Sequence, residues 1–113
     1  MKTTKENSKK YGWGNNCLGW HLVNTEALSV IQELMPPHTA EVKHKHLKCQ
    51  QFFFILKGKA TFDVEGQVVI VKAHEGIHIQ KNQGHQVKNE SDSDLEFVVI
   101  SQPHSHNDRE PID

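Results

Sequence analysis

His44 and His46 stand one residue apart, Gln51 follows five positions later, and His85 lies far downstream. On a β-strand successive side chains point to opposite faces, so the two histidines of His44-Lys45-His46 share a face about 7 Å apart. Imidazoles at that spacing can converge on one metal ion. His85 opens a second strand-like pattern, His85-Gln86-Val87-Lys88-Asn89, which would place it across a barrel from the first pair. Three imidazoles and the side-chain carbonyl of Gln51 suit a borderline divalent transition metal: Fe, Zn, Mn, Ni or Cu. Nine histidines in 113 residues exceed what packing requires, which favours metal or acid–base chemistry.

Short strands must position these residues. Residues 20–23, 28–35, 41–46, 51–56, 60–64, 68–71, 77–79, 87–89 and 95–100 are β-forming runs, and turn formers separate them: Lys57-Gly58, Glu65-Gly66, His74-Glu75-Gly76 and Lys81-Asn82-Gln83-Gly84. The run over 28–35 also fits a helix through Glu33, Leu34 and Met35, but Val30, Ile31 and the following Pro36-Pro37 favour a strand. Regular short strands predict an all-β sandwich or barrel. Residues 1–10 read as a disordered arm and no signal peptide, 11–102 as one domain, and 103–113 as a polar tail. Period-two alternation puts Phe53 and Ile55 on the face of Gln51, lining the interior around the metal. A register shift of one residue would exchange Gln50 for Gln51.

Composition narrows the partners. Thirteen basic residues against fourteen acidic ones, a net charge of -1, give no electrostatic reason to expect nucleic acid or anionic lipid. Arg109 is the only arginine, so no multi-arginine phosphate clamp is available. The longest apolar stretch, residues 52–56, falls far short of the ~20 residues that span a bilayer. The expected class is a soluble, cytoplasmic protein that binds a small molecule, with Cys17 and Cys49 as free thiols.

Two motifs resemble those of the cupin superfamily. The first, G-x5-H-x-H-x(3,4)-E-x6-G, falls on His38, His44, His46, Gln51 and Gly58; the second, G-x5-P-x-G-x2-H-x3-N, falls on His74, Gln80, Asn82, His85 and Asn89. The similarity spans roughly residues 34–100 and points to the small single-domain (type-2 conserved barrel) members. It implies a small jelly-roll β-barrel, the cupin or double-stranded β-helix fold, and a metal held by His44, His46, Gln51 and His85. His38, His74 and Asn82 replace glycines, Gln80 replaces a proline, and Gln51 replaces the ligand glutamate. A neutral amide binds a dication less strongly than a carboxylate, leaving a three-His site with an optional fourth ligand.

Three classes of function compete. One is a dioxygenase-like enzyme, as the resemblance to three-His iron dioxygenases implies. An isomerase or lyase similar to the cupin-type mannose-6-phosphate isomerases, where glutamine is also a zinc ligand, needs a base that the motifs do not supply. His38, placed to overhang the site mouth, or a metal-bound hydroxide would have to serve. The second class is a non-catalytic small-ligand or metal carrier, and the third a structural protein with a vestigial site. His78, between Ile77 and Ile79, is expected to face outward, His104 and His106 to be solvated, and Cys49 to be passive. Phe52 and Phe54 turn away from the interior, and a homodimer is the expected cover.

Overall fold

Alternation of period two runs through most of the chain and, among the described residues, is realised as twelve β-strands. The computed structural model describes residues 1–112. In chain order the strands are β1 (Lys9–Trp13), β2 (Cys17–Asn24), β3 (Ser29–Met35), β4 (Thr39–Ala40), β5 (His44–His46) and β6 (Gln50–Lys57). They continue with β7 (Lys59–Val64), β8 (Gln67–Lys72), β9 (Gly76–Ile79), β10 (His85–Asn89), β11 (Leu95–Gln102) and β12 (Arg109–Pro111). The β-branched residues Val30 and Ile31 carry the day over 28–35, where β3 pairs with both β2 and β11. Among the described residues, no helix is long and apolar enough to cross a membrane.

Two six-stranded sheets result. One has the order β1-β2-β3-β11-β6-β9; the other runs β12-β5-β10-β7-β8, with β4 also paired to β10. The expected jelly-roll β-barrel is corrected here: the topology is cupin-like, but the sheets do not close into a barrel. Among the described residues no ladder joins an edge of one sheet to an edge of the other, so β1, β9, β12 and β8 remain edges. The physical reason is the filling between the sheets. Phe53 packs on Phe62 and Phe97 with ring centroids 5.0 and 5.6 Å apart, and Met35, Ile55, Val87 and Leu95 complete a core almost closed to solvent. Facing sheets held by such side chains stand about 10 Å apart, twice the ~4.8 Å that a strand-to-strand ladder needs.

Both ends of the chain enter the sheets. Lys9 and Lys10, in the arm expected over 1–10, belong to β1, and Arg109–Pro111, in the tail expected over 103–113, forms β12 against β5. The motif glycine that is kept, Gly58, has φ +88, and a Cβ there would lie 2.5 Å from the Asp94 carbonyl oxygen. The three positions where the motifs lost glycine are also left-handed: His38, His74 and Asn82 have φ of 60, 67 and 67. The backbone geometry of the motif is retained without its glycines, on residue types that tolerate this region better than most. Asn89, fully buried, stitches its neighbourhood by donating from Nδ2 to the carbonyls of Met35 and Ser93.

Candidate metal centre

β5 is three residues long, and its HKH sequence shows the buried–half-buried–buried alternation of a strand with one face inward. His44 and His46 therefore face the interior together. The register of β10 puts His85 directly opposite His44. Ring centroids are 4.9 Å apart for His44 and His46, 4.5 Å for His44 and His85, and 5.6 Å for His46 and His85. One ring nitrogen from each lies within 4.8 Å of the others. From the facing sheet, β6 turns Gln51, Phe53 and Ile55 inward and Gln50 outward. Gln50 Oε1 accepts from His78 Nε2 on the surface, at 2.9 Å, so Gln51 alone of the two amides faces the histidines.

The hydrogen bonds orient the three rings as ligands. His44 Nδ1 lies 2.7 Å from the Val42 carbonyl and His85 Nδ1 lies 3.0 Å from the Gln83 carbonyl. A carbonyl only accepts, so both Nδ1 atoms carry the proton and both Nε2 atoms present a lone pair. Gln51 donates from Nε2 to Ser101 Oγ at 2.9 Å, which aims its Oε1 at His85 Nε2, 3.1 Å away. Two acceptors facing at that distance call for a cation. His46 makes the same case: among the described residues neither Nδ1 nor Nε2 has a hydrogen-bond partner, although both are buried. An unpartnered buried polar atom costs ~1–3 kcal/mol, and a metal ion removes that cost. The residues present fit a divalent ion.

Electrostatics agree. Burial takes the His44 pKa down to about 3, helped by the Arg109 charge and by the other two imidazoles. Burial also lowers His46 and His85. All three are neutral bases near neutral pH, the form that binds metal. A second group, His46, Cys49 and Asp108, also comes within 4.8 Å. Its members have other commitments: Asp108 accepts the backbone N–H groups of Leu47, Lys48 and Cys49. Burial and the neighbouring Asp108 push the Cys49 thiol up to about 12, so it stays protonated.

A cavity of about 310 Å³ opens above the histidines. His44, His46, Gln51, Phe53 and Ser101 line it, and so do charged or polar residues that occupy no marker position of the motifs, among them Tyr11, Glu33, Glu41 and Arg109. Burial raises Glu33 to about 7, against the pull of its hydrogen bond from Tyr11 and of Arg109. Burial and the Glu33 charge raise Glu41 to about 8. Two carboxylic groups thus share the cavity with His44 and His46, where none was expected. Arg109 donates to the Val42 carbonyl at 3.2 Å and stands 4.0 Å from Glu41. The sequence signal was the parity of Glu33 with Met35 and Ser29 in β3; Glu41 lies before β5, and its parity is opposite to that of His44 and His46.

Other expected pocket residues are placed differently. His38 is exposed, bonds Asp92 at 2.9 Å and does not line the cavity. Ile55 is fully buried in the core and also lies off the cavity wall, leaving Phe53 as the wall from β6. His78 is exposed, whereas His106 reaches the cavity rim from the tail.

A family model described as Cupin domain matches residues 31–101. An oxalate-binding protein of Thermotoga maritima is 28% identical over 85 residues, which make up 71% of this chain and 70% of that protein. Among solved structures, a predicted oxalate decarboxylase from Thermotoga maritima has a TM-score of 0.84 and 21% identity, covering 92% of this chain and 100% of the other. KdgF from Halomonas sp. has a TM-score of 0.85 and 10% identity, covering 95% of this chain and 98% of the other. At these identities the two structures speak for the fold alone.

Proposed function

The chain belongs to the cupin domain family, and from that membership we propose that it is a metal-dependent enzyme whose cup holds one divalent ion and binds a small oxyanion. His44, His46 and His85 would hold the ion, with Gln51 Oε1 as fourth ligand. The observation that carries this reading is the buried, unpartnered imidazole of His46 beside two rings whose Nε2 lone pairs are already oriented. Three imidazoles and an amide bring no negative charge, so the two positive charges of the ion are left for the substrate to offset. A compact oxyanion of the oxalate class, the class named for the Thermotoga relative, meets that need in a cavity of about 310 Å³.

The bound ion would supply Lewis-acid polarisation of a substrate oxygen. The chain supplies the rest. Val42 and Gln83 fix the tautomers of His44 and His85, and Ser101 holds the Gln51 amide. Phe53, Ile31 and Val99 make the wall apolar and limit water, while Arg109 offers positive charge to an arriving anion.

Metal analysis of tag-free protein tests the reading: one ion per chain is expected, with His46→Ala below a tenth of that. Gln51→Glu adds the missing charge and should slow metal loss to a chelator at least tenfold. Protein that retains no Fe, Mn, Ni, Cu or Zn after loading would overturn the proposal. Oxygen uptake by the iron form with an oxyanion present would place the reaction in the dioxygenase class. We also infer a homodimer, supported by Phe52 and Leu56, which are 38% and 36% exposed on β6, and testable by light scattering. A reducing, cytoplasmic setting fits two buried free thiols, Cys17 and Cys49.

A further inference from the structure

We propose that Glu33, oriented by Tyr11 across Gly19, is the proton-transfer group of the cup, and that the substrate is a small 2-oxo acid bound for enolisation. This rests on the metal-centre reading and names the substrate class of that site. Three strands align to make the arrangement. Tyr11 on β1 lies opposite Gly19 on β2, and Gly19 lies opposite Glu33 on β3. A Cβ on Gly19 would overlap the Tyr11 ring. The absent side chain lets the ring lie across β2, where it rests against His21 with centroids 4.9 Å apart. Its hydroxyl then donates to Glu33 Oε2 at 3.0 Å. A tyrosine laid over a glycine to hold one carboxyl oxygen leaves the other oxygen of Glu33 for a ligand in the cavity shared with His44, His46 and Gln51.

The chemistry follows from what surrounds Glu33. The ionisable groups around it are Tyr11 from β1, Cys17 from β2, Glu41, His44 and His46 from the chain leading into and through β5, His106 from the cavity rim, and Arg109 from β12. Arg109 is drawn toward Glu41 and the Val42 carbonyl and does not clamp Glu33. Burial brings Glu33 to about 7, where a carboxyl group both takes and returns protons at neutral pH. As the carboxylate it removes a proton from the carbon next to the oxo group. The C–H electron pair becomes the C=C bond, and the carbonyl π pair moves onto oxygen to give an enolate. Return of a proton to that carbon restores the acid, and no oxidant or reductant is consumed. The enolate of a 2-oxo acid is a planar dianion with two adjacent oxygens, the shape and charge of oxalate. A cup that binds oxalate therefore suits this intermediate, and oxalate should compete with it.

Deuterium exchange tests the assignment. Mn-loaded protein is incubated with pyruvate in D2O, and loss of the methyl proton signal is followed by NMR, with metal content measured on the same samples. Exchange above the buffer rate is expected, inhibited by oxalate. Glu33→Gln should be at least 100-fold slower with unchanged metal content. A second readout needs neither metal nor substrate: the infrared carboxyl band present in wild type and missing in Glu33→Gln, followed against pH. Tyr11→Phe and Gly19→Ala remove the hydrogen bond that favours the carboxylate, so the midpoint of that band should rise by at least half a pH unit in both. Exchange that is absent in metal-loaded protein, unaffected by Glu33→Gln or insensitive to oxalate overturns the proton-transfer role. An unmoved infrared midpoint in Tyr11→Phe overturns the orientation by Tyr11. A chain that takes up no metal overturns the metal-centre reading instead, and is recognised by the metal analysis before any exchange is measured.

Discussion

Replacing Asp108 by alanine removes the acceptor that organises the turn between β5 and β6, and its cost can be worked from the structure. The carboxylate is 8% exposed and accepts the N–H of Leu47 at 3.0 Å, of Lys48 at 3.1 Å and of Cys49 at 2.9 Å. Leu47 and Lys48 are exposed, so water can take over for two of the three donors. Cys49 is 1% exposed and has no such substitute. An orphaned buried donor costs ~1–3 kcal/mol, and each charged bond exchanged for water about 1 kcal/mol. The expected loss is ~3–5 kcal/mol, against a total of ~5–15 kcal/mol for a typical domain. At ~4 °C per kcal/mol for a chain of this length, that lowers Tm by roughly 12–20 °C. Burial disfavours the Asp108 carboxylate, but its backbone donors outweigh burial and lower its pKa from the ordinary 3.8. A depressed carboxylate contributes stability that is full above 3.8 and lost as pH falls through the folded-state value. Unfolding of metal-free protein, followed by circular dichroism from pH 7 to pH 2, should therefore show a gap between wild type and Asp108→Ala that narrows below pH 3.8. Asp108→Asn, which keeps one acceptor oxygen, should fall between them. A loss under 1 kcal/mol at pH 7, or a gap that persists to pH 2, would refute the assignment of the turn to this carboxylate.

Gly58→Ala forces a side chain into φ +88 and onto the Asp94 carbonyl; a loss of about 3 kcal/mol is expected in urea unfolding. His74→Gly relieves an exposed left-handed residue at φ 67, and the entropy of glycine in the unfolded chain offsets part of the gain. A net stabilisation of about 0.5 kcal/mol, or ~2 °C in Tm, should appear in a calorimetric scan. Glu33, raised by burial to about 7, holds its proton in the folded state while the unfolded chain releases it near 4.5. Stability therefore falls as pH rises from 4.5 to 7. Metal-free Glu33→Gln, which mimics the protonated form, should gain Tm relative to wild type across that window and hold the gain at pH 8.

The metal triad was legible because two of its members are local to each other. Parity alone puts His44 and His46 on one face, and the same parity separates Gln51, Phe53 and Ile55 from Gln50, Phe52 and Phe54. His85 was reachable through motif spacing, since its own strand alternates cleanly. His38 misled because a loop position near the ligand strand says nothing of direction; its left-handed backbone turns it to Asp92 on the surface. Glu33 and Glu41 occupy no marker position of the motifs, and Asp108 and Arg109 fall in the polar stretch 103–113. Each acquires its role only from a partner distant in sequence: Tyr11 is 22 residues from Glu33, and Asp108 is 59 from Cys49.

By itself the sequence determined the all-β class, the inward faces of the strands and the imidazole-rich centre, because a period of two and turn chemistry act over a few residues. Only the tertiary structure decided that the sheets stay open, that β12 closes on β5, and that Tyr11, Gly19 and Glu33 fall in one row beside the histidines. Those outcomes depend on register and sheet order between segments far apart in the chain. Register is selected by the fit of the whole core, where Phe53, Phe62 and Phe97 interlock, and no local pattern encodes that fit.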